Sequence, residues 1–546
     1  MGFLASIEDA GIQLRVPSWP WLCTAVLIIW IVRNIFANGL YRVPGPFLNS
    51  VSVIPRIVSV FKGSSQWEDL NLHKKYGKIV RVSPNSVSIS DPAFLDQIYG
   101  ISSKFYKSGF YEPVRFHDEE GLIPDPFVLP DKPTHTRMKR NAANAYSLQA
   151  LVQLEPMVDN IIERLFRRLD QEHVAAAKSC DIGQYMHFFA MDTIFTVTFG
   201  SDLDFINLGD AKGFCKNLQD GLVYLACIGQ IPWAHKFLMG NKYVARYLEG
   251  TGESMFTEMM DVAVTQRAVA EKEISNDDNG TTPTTFLVHL LRNQAKNPAS
   301  ITDREINTHT FGNIIAGGDT TSTALRAILT EVIRHPDVTE RLLAELRSVG
   351  ITSGAKPVPY AVASKLPYLT AVIKEGMRLH PSVGLMLARG VPAGGAVLND
   401  NTTGRQYHID GAAEIGVNPW IIQRDPEVFP DPEAFVPSRW LESSPEQLAR
   451  MGRSWIPFGA GRHTCSGQHI SMLEITKLIP SLVLRYSMAW EGGKPNISVV
   501  NYFFTIQSGL RVVIEKREKS GSLLQATDTA YMAVKAPMPS LVSVAA

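Results

Sequence analysis

An almost unbroken run of apolar side chains lies near the N-terminus. Between Trp19 and Val32 the chain carries no charged residue, and tryptophans lie near both ends of the run. A run of this length is about sufficient to cross the hydrocarbon core of a bilayer, and tryptophan is typical of the two interfaces. We therefore predict a transmembrane anchor over residues 17–36; a cleaved signal peptide is the alternative interpretation.

The charges that flank this run predict its orientation. The acidic residues Glu8 and Asp9 precede it, whereas Arg33 and Arg42 follow it. The positive-inside rule places the basic side in the cytosol. We therefore expect a short luminal N-terminus over residues 1–16 and the bulk of the chain in the cytosol.

Downstream, the pattern of apolar positions predicts a mainly α-helical domain with a minor β-sheet region. Apolar residues recur three and four positions apart over much of 134–350, as in amphipathic helices. Alternation on both sides of a Ser-Pro-Asn turn over 77–90 predicts a β-hairpin. Residues 37–50 contain closely spaced prolines and predict a stiff hinge. We expect one large domain over 51–516.

The last residues of the chain have a different composition. Residues 517–546 show weak periodicity and many small polar side chains. Such a segment buries too little apolar surface to fold, so we predict a disordered tail.

Residues 302–335 predict one long helix with a weak centre. Thr302 and Glu305 have capping-box spacing, and Pro336 follows the helix. The centre reads AGGDTT, in which each glycine costs about 1 kcal/mol relative to alanine. A helix weakened there predicts a local kink or groove at a functional site.

Composition and charge exclude several classes of protein. The 546 residues include 53 basic and 53 acidic side chains, so no global field attracts nucleic acid, and we expect no nucleic-acid partner. The five cysteines are few and widely spaced, which argues against a disulfide framework and favours a reducing compartment. None has the spacing of a zinc site.

The stretch FGAGRHTCSG, residues 458–467, places one thiol in a glycine-rich loop just before a predicted helix. A thiolate is a strong metal ligand, but its charge must be stabilised. Gly459 and Gly461 would allow a tight turn in which backbone N–H groups point toward one anion. Cys465 is therefore a candidate metal ligand, and a buried structural cysteine is the alternative.

Three neighbours of Cys465 suit a wide, planar ligand. Phe458 could shield the sulfur from water. Gly467 would let the following helix lie flat against such a ligand. His463 could hydrogen-bond a carboxylate on the rim of the ligand.

This loop resembles the haem-binding loop of the cytochrome P-450 superfamily. There the pattern is Phe-Gly-x-Gly-x-Arg/His-x-Cys-x-Gly, and this sequence fits every fixed position. The resemblance covers roughly residues 40–516 and looks most like fungal membrane-bound members, particularly the pisatin demethylase group. It implies the cytochrome P-450 fold, heme b as cofactor, and Cys465 as the axial ligand of the haem iron.

The centre of the long helix resembles the oxygen-binding groove of the same family. The resemblance implies that Thr320 hydrogen-bonds oxygen above the haem and that Asp319 relays protons. Delivery of protons through a mostly dry pocket is what such a reaction needs.

Two further resemblances concern charged residues. In KEGMRLHP, Glu375 and Arg378 match the family's Glu-x-x-Arg pattern, and Arg439 from FVPSRW completes a buried triad with a scaffolding role. Lys139 and Arg389 match the positions of cations that bind the haem propionates.

The predicted helix that begins near residue 135, in the stretch HTRMKRNAANAYS (135–147), departs from the family's Trp-x-x-x-Arg pattern. His135 stands for the tryptophan and Lys139 for the arginine, so Arg137 is a rival for the propionate contact. The family's pockets suggest Phe110, Phe116, Leu385, Met386 and Phe504 as lining residues here, and their apolar character suits a terpenoid, polyketide, alkaloid or phenolic substrate.

The resemblance implies a monooxygenase that inserts one oxygen atom from O2 into a lipophilic small molecule, in fungal secondary metabolism. Only thirty residues follow Lys516, so we expect electrons from NADPH through a separate NADPH-cytochrome P-450 reductase. The resemblance also allows cytochrome b5 as a second electron donor. The expected location is the endoplasmic reticulum membrane, single-pass. The alternatives are a haem-thiolate isomerase or dehydratase, and a non-catalytic haem or sterol binding protein.

Overall fold

A computed structural model describes residues 19–517, except 119, 212, 242, 245–246, 248–254 and 278–282. The predicted luminal segment 1–16 and, apart from Arg517, the predicted disordered tail 517–546 lie outside these residues.

Helices form most of the described chain, as the spacing of apolar residues predicts. The α-helices are Trp19–Phe36, Phe47–Val51, Ile54–Phe61, Ser65–Tyr76, Leu95–Tyr99, Lys132–Ala142, Leu148–Val152, Glu155–Leu169, Ile182–Phe199, Phe205–Leu208, Phe214–Ile228, Met255–Ser275, Phe286–Lys296, Asp303–Arg334, Pro336–Ser348, Tyr360–Ala363, Pro367–Leu379, Pro419–Ile422, Arg439–Glu442, Pro445–Ser454 and Gln468–Arg485. Short 3₁₀ turns lie at Ala37–Arg42, Pro92–Phe94, Gly109–Val114, Pro232–Phe237, Gly461–His463 and Glu491–Gly493, and a π turn lies at Asp170–Val174.

The strands form small sheets at the edges of the helical body. The largest sheet has the order Ile79–Ser83, Ser86–Ile89, Glu414–Val417, Arg389–Gly390, Tyr106–Lys107. Its pairs are antiparallel, except that Glu414–Val417 runs parallel to Ser86–Ile89. A three-stranded antiparallel sheet has the order Tyr486–Trp490, Arg511–Lys516, Cys180–Asp181. Three separate hairpins pair His117–Asp118 with Gly121–Leu122, Ala396–Asp400 with Arg405–Ile409, and Ser498–Tyr502 with Phe504–Ser508.

The predicted fold class is confirmed: a mainly helical domain carries a minor sheet region. The predicted hairpin over 77–90 is formed by Ile79–Ser83 and Ser86–Ile89. The region 150–169 is not one helix, because the chain breaks between Val152 and Glu155, just before Pro156.

The apolar N-terminal segment forms a helix that projects from the domain. Trp19–Arg42 is long and apolar enough to cross a membrane. No residue in its most apolar stretch is buried against the domain. Asn38 and Gly39 then take left-handed backbone angles and turn the chain. The guanidinium of Arg81 donates to the carbonyls of Asn34 and Ile35 at the end of the helix. These bonds connect the helix to the strand Ile79–Ser83, which contains Arg81.

The long helix Asp303–Arg334 runs through the centre of the domain. It begins with the predicted capping box of Thr302 and Glu305. It packs closely against the buried helix Ile182–Phe199. A Cβ atom on Gly318 would lie 2.0 Å from the sulfur of Met191, and one on Gly317 would lie 2.6 Å from Ile194. The central glycines therefore allow two helices to approach, and the long helix remains continuous instead of forming the predicted kink.

Candidate active site

A cavity of about 280 Å³ is lined by both the long helix and the loop that carries Cys465. The long helix lines it with Thr308, His309, Gly312, Asn313, Ala316, Gly317, Thr320, Thr321 and Ala324. These positions recur three and four residues apart, so they form one face of the helix. Gly312 has no atom within 4 Å of where its Cβ would lie. The face is therefore a shallow groove, as predicted for a functional site.

Cys465 lies deep in the protein, yet its sulfur is accessible from the cavity. Burial raises the pKa of its thiol, whereas the backbone N–H groups of Gly467 and Gln468 and the charge of Lys139 lower it. Two N–H groups and a cation thus oppose the cost of burying a thiolate. A metal ion at the sulfur would complete that stabilisation.

The glycines of the Cys465 loop have separate structural reasons. Gly459 and Gly461 have φ of +74° and +59°, in the left-handed region that favours glycine. A Cβ on Gly461 would lie 2.0 Å from the carbonyl oxygen of Tyr99, so no side chain fits there. Gly467 lines the cavity beside the sulfur, and its missing side chain leaves that surface flat.

The structure brings Glu375, Arg378 and Arg439 together in a buried cluster. Nε and Nη2 of Arg378 each donate to Glu375 at 2.9 Å, and Nε of Arg439 donates to the same carboxylate at 2.9 Å. Trp440 and the backbone of Val436 also donate to Glu375. The remaining donors of both arginines reach main-chain carbonyls. We refer to these three residues as the closed cluster.

Gln423 connects the closed cluster to the segment before Cys465, and sequence reasoning gave it no role. Its amide nitrogen donates to the carbonyls of Met377 and Arg378, and its oxygen accepts from the backbone N–H of Ile456. All three bonds are buried. A glutamine can donate and accept at once, which explains the residue type at this junction.

Basic side chains gather at another part of the cavity lining. They are Lys107, His135, Lys139, Arg389 and His463. Within the described residues, none of these five has a carboxylate oxygen within 4.0 Å. Nδ1 of His135, Nδ1 of His463 and Nε of Arg389 are buried without a hydrogen-bond partner. We refer to these five residues as the open cluster.

The main sheet places Lys107 directly beside Arg389. The two residues are cross-strand partners in the pair formed by Tyr106–Lys107 and Arg389–Gly390. Like charges in directly opposed positions destabilise a sheet. Burial, followed by the charge of Arg389, lowers the pKa of Lys107 well below its ordinary value. Sequence reasoning missed Lys107, because a two-residue strand gives no readable pattern.

The rings of the two histidines of the open cluster are in contact and tilted by 53°. Their ring centroids are 4.4 Å apart. Burial and the nearby charges of Lys139 and Lys107 lower the pKa of His135 to about 4. Burial and the surrounding cations also lower the pKa of His463. This electrostatic environment disfavours any further positive charge and favours an anion.

The structure separates the two rivals for a carboxylate-binding cation on the early helix. Arg137 forms an ion pair with Glu305 and does not line the cavity. Lys139 lines the cavity, but its Nζ donates to the carbonyls of Arg462 (3.3 Å) and Thr464 (2.6 Å). Lys139 therefore also braces the backbone of the Cys465 loop, a contact that the sequence did not predict.

Thr320 and Asp319 point in different directions from the long helix. The hydroxyl of Thr320 lines the cavity and donates to the carbonyl of Ala316 at 2.7 Å. The resemblance pairs Asp319 with Thr320 in one groove, but Asp319 does not line the cavity. Its Oδ1 lies 2.8 Å from Nε2 of His187 on the helix Ile182–Phe199, and its Oδ2 has no hydrogen-bond partner. Adjacent helical residues are about 100° apart, so Asp319 lies on the flank of the helix that faces Ile182–Phe199, whereas Thr320 and Thr321 lie on the face that lines the cavity.

The predicted apolar lining is only partly correct. Phe504 lines the cavity, whereas Phe110, Leu385 and Met386 belong to the same apolar cluster as Phe504 but do not line the cavity. Phe116 packs near Phe311 instead. Tyr111, Phe127, Leu387 and Phe503 also line the cavity, and they lie in the segments 105–130, 383–388 and 502–508 to which the resemblance assigns the lining.

These residues fit a haem group. Cys465 offers a thiolate supported by two backbone N–H groups, and Gly467 leaves a flat surface next to it. The open cluster offers several unpaired buried cations, which suit the two carboxylates of a haem. Much of the remaining lining is apolar, as a porphyrin requires.

Comparison with known proteins agrees with this fit. The family model described as Cytochrome P450 matches residues 48–511. Cytochrome P450 monooxygenase mpaDE' of Penicillium brevicompactum is 31% identical over 508 residues, which cover 91% of this chain and 58% of that protein.

Two other fungal relatives match over nearly their whole length. A cytochrome P450 monooxygenase of Aspergillus terreus is 31% identical, covering 86% of this chain and 95% of that protein. Cytochrome P450 monooxygenase cicH of Emericella nidulans is 33% identical, covering 88% of this chain and 94% of that protein. The chain thus spans little more than half the length of the mpaDE' protein but almost all of the other two.

Proposed function

The chain belongs to the cytochrome P450 family, and on that premise we propose that it is a haem-thiolate monooxygenase acting on a lipophilic small molecule. One arrangement supports this most strongly. The thiol of Cys465, with backbone N–H groups directed at it, opens on the same cavity as five basic side chains without carboxylate partners, among them Lys107 and Arg389.

Each part of the site would hold a different part of the cofactor. When bound, haem supplies an iron at which dioxygen is activated with two electrons and two protons, so that one oxygen atom enters the substrate and the other leaves as water. Cys465 would hold the iron through its thiolate. Arg389, Lys107 and His463 are proposed to bind the propionates, and Lys139 to keep the Cys465 loop in place.

Thr320 is the proposed last donor in proton delivery. At rest its hydroxyl donates to Ala316; rotated toward the cavity, the same O–H would donate its proton onward while the oxygen accepts a hydrogen bond from water, which then re-supplies the proton. Asp319 is proposed to supply that proton from outside the cavity. In the structure the carboxylate of Asp319 lies beside His187. To deliver a proton, the side chain of Asp319 must therefore rotate toward the turn of the long helix that carries Thr320.

We propose that His187 is the resting partner of Asp319. The carboxylate is buried and would be costly to leave alone, and the imidazole offers it a nearby donor. Arg326 is a further charged group near Asp319. In this pairing the carboxyl group of Asp319 stays outside the cavity, and it moves only when a proton is delivered.

The partners and location are proposed from coarser observations. Electrons are proposed to come from NADPH through a separate reductase, and the helix Trp19–Arg42 is proposed to anchor the protein in the endoplasmic reticulum membrane. The apolar lining suits a lipophilic substrate, and the fungal relatives support a metabolite of a fungus. A haem-thiolate isomerase is the second candidate, but the hydroxyl of Thr320 in the cavity favours the monooxygenase.

The proposal can be tested with the haem-loaded, full-length protein. Reduction under carbon monoxide should give the red-shifted Soret band of a thiolate-ligated haem, and Cys465→His should lose that band. With reductase, product should require both NADPH and O2. Product formed at the full rate without NADPH or O2 would establish the isomerase instead.

Thr320→Ala tests the proton path within the same protein. The variant should still consume NADPH but release more hydrogen peroxide, with at least about a tenfold loss of product per NADPH. Thr310→Ala is the matched control, because Thr310 makes the same hydroxyl bond to a preceding carbonyl but lies outside the cavity lining. Equal coupling in both variants would contradict the proposed role of Thr320.

A further inference from the structure

We propose that the helices Phe47–Val51 and Ile54–Phe61 lie in the headgroup layer of the bilayer that the N-terminal helix crosses, and hold the domain against it. The inference rests on the location proposed above for the helix Trp19–Arg42, but not on the proposed monooxygenase. Neither short helix lines the cavity. The lipid would meet their exposed apolar side chains, which we call the apolar face: Phe47, Leu48, Ile54, Val58 and Phe61.

The helix Ile54–Phe61 is amphipathic in the reverse of the usual sense. Its apolar residues Ile54, Val58 and Phe61 are 64%, 44% and 66% exposed, and they recur four and three positions apart, so they form one stripe. Its polar residues Arg56 and Ser59 are instead buried against the domain. In water, a helix normally turns its apolar stripe toward the core. The arrangement therefore indicates that the outer side of this helix meets an apolar medium.

A buried ion pair fixes the inner side of the same helix. Nη1 of Arg56 lies 2.6 Å from Oδ1 of Asp69, and the two side chains are 6% and 1% exposed. Val60 is buried in the apolar cluster that also contains Leu222 and Leu225. Turning the helix over would separate the ion pair and expose Val60, and an unpaired buried charge is costly. The apolar stripe therefore stays on the outside.

The apolar face begins beside the end of the N-terminal helix. The side-chain amide of Asn34, in the last turn of that helix, donates to the carbonyl of Val51 at 2.7 Å. Phe47 and Leu48 lie about one helical turn, or about 5 Å, from Val51. The headgroup layer on each side of a bilayer is about 5–7 Å thick. A helix that ends at the bilayer surface therefore places Phe47 and Leu48 within that layer.

Hydrogen bonds fix the N-terminal helix to the domain. The guanidinium of Arg81, which is buried, donates to the carbonyls of Asn34 and Ile35 at 2.6 and 2.9 Å. Just after the helix, the carbonyl of Asn38 accepts from the backbone N–H of Asp410 at 3.1 Å. These bonds resist tilting of the helix against the domain. The apolar face therefore keeps one height and one direction relative to the membrane-crossing helix.

The charges of this part of the chain suit the phosphate groups of lipids. No acidic residue occurs between Asp9 and Glu68. Arg33, Arg42 and Lys62 are exposed at either end of the segment that carries the apolar face. Basic residues beside an apolar stripe are typical of helices that lie in the membrane interface. A second copy of the chain would bring like charges together, so the charges favour a bilayer over self-association.

The test measures the depth of three sites in a bilayer. Full-length, haem-loaded protein is reconstituted in vesicles of phosphatidylcholine and phosphatidylserine, and a nitroxide on p-acetylphenylalanine replaces Ile28, Val58 or Val349 in turn. Ile28 lies in the N-terminal helix. Val349 is the matched control, because it is 46% exposed but lies outside residues 19–61. Power saturation with O2, which concentrates in lipid, and with a nickel chelate that stays in water gives the depth of each label.

We expect the label at position 58 to lie about 5–10 Å inside the phosphate level, as interfacial helices do. The label at position 28 should lie deeper, and the label at position 349 should be in water. Ile54→Asp with Phe61→Asp should move the label at position 58 out to the phosphate level, because charged side chains are costly in the apolar layer. Leu203→Asp with Leu441→Asp, on exposed leucines elsewhere, should leave it in place.

Two results at position 58 would overturn the inference. One is contact with the nickel chelate equal to that at position 349, which would place the apolar face in water. The other is protection from both O2 and the chelate, which would show that protein covers the face, a second copy included. Both readings come from the chain with its apolar face otherwise intact, so they decide the matter even if the double aspartate variant folds poorly.

The remaining readouts separate this inference from the proposals on which the article has drawn. A label at position 28 inside the bilayer with the label at position 58 in water rejects the apolar face alone, whereas both labels in water reject the proposed location as well. The thiolate band under carbon monoxide is recorded on the same samples. An immersed apolar face without that band would retain the inference and reject the monooxygenase.

Discussion

Buried charge is handled in opposite ways in two regions of this protein. In the closed cluster, the carboxylate of Glu375 accepts hydrogen bonds from both arginines, and the arginines' other donors reach carbonyls. In the open cluster, Lys107 and Arg389 lie side by side with no carboxylate within 4.0 Å among the described residues.

The difference distinguishes a structural role from a binding role. A buried charge is costly unless it is paired, so a cluster that pairs its own charges needs nothing else. A cluster that leaves several cations and unpartnered nitrogen atoms at a cavity is incomplete without an anion. We therefore propose that the closed cluster holds the Cys465 segment and that the open cluster binds the carboxylates of a ligand.

The largest expected effect comes from opening the closed cluster. Glu375→Gln leaves Arg378 and Arg439 buried without their counter-charge, and we expect a loss of about 3–5 kcal/mol in the free energy of unfolding. The loss should appear with or without haem, as a lower yield and a lower melting temperature. Glu442→Gln is the control, since Glu442 pairs with Arg341 at the exposed surface. Equal stability of the two variants would contradict the distinction between the clusters.

Removing a charge from the open cluster should weaken haem binding without lowering the stability of the haem-free protein. Lys107→Met relieves its repulsion with Arg389, so the haem-free protein should be at least as stable as the wild type. Arg389 is kept in this variant, because its guanidinium also donates to the carbonyls of Leu387 and Ala388. The rate of haem transfer to an acceptor protein should rise at least about tenfold, because one charge-assisted hydrogen bond is lost. A variant that destabilises the haem-free protein and retains haem normally would reverse the assignment.

The open cluster should also make the haem-free protein sensitive to acid. The pKa of His135 is lowered to about 4, against an ordinary value near 6.5. Between these values the unfolded chain binds a proton that the folded protein excludes, so stability is present above pH 6.5 and falls as the pH drops toward 4. The slope is at most about 1.4 kcal/mol per pH unit, less where water reaches the ring.

His135→Gln should flatten that part of the pH profile, as measured by denaturant unfolding at pH 4.5, 5.5 and 6.5. His309→Gln is the comparison, because burial alone lowers the pKa of His309 to about 4 at another part of the cavity. Bound haem should flatten the slope due to His135 and leave the slope due to His309. Equal effects of haem on both would show that its carboxylates are not at the open cluster.

Local patterns made part of this structure predictable from the sequence. The Cys465 loop, the capping box of Thr302 and Glu305, and the spacing of Glu375 and Arg378 each lie within a few residues of the chain. Their geometry follows from turn and helix rules that act over that range. The helical class follows from the same periodicity.

The remainder depends on contacts between distant segments. Lys107 meets Arg389 only because two short strands pair in one register, and no local pattern marks either strand. The direction of Asp319 depends on which face of the long helix meets the helix of His187. Phe503 is distinguished by a backbone angle that its residue type would not suggest.

The most direct test of the open cluster compares haem with haem dimethyl ester, in which both carboxylates are neutralised. Binding of each to the haem-free, full-length protein is measured by the rise of the Soret band. The wild type should bind haem at least about tenfold more tightly than the ester. In the Lys107→Met/Arg389→Met double variant the two should bind within about threefold, because the partners of the carboxylates are gone. Equal binding of haem and its ester by the wild type would contradict the assignment of the open cluster as the site of the carboxylates.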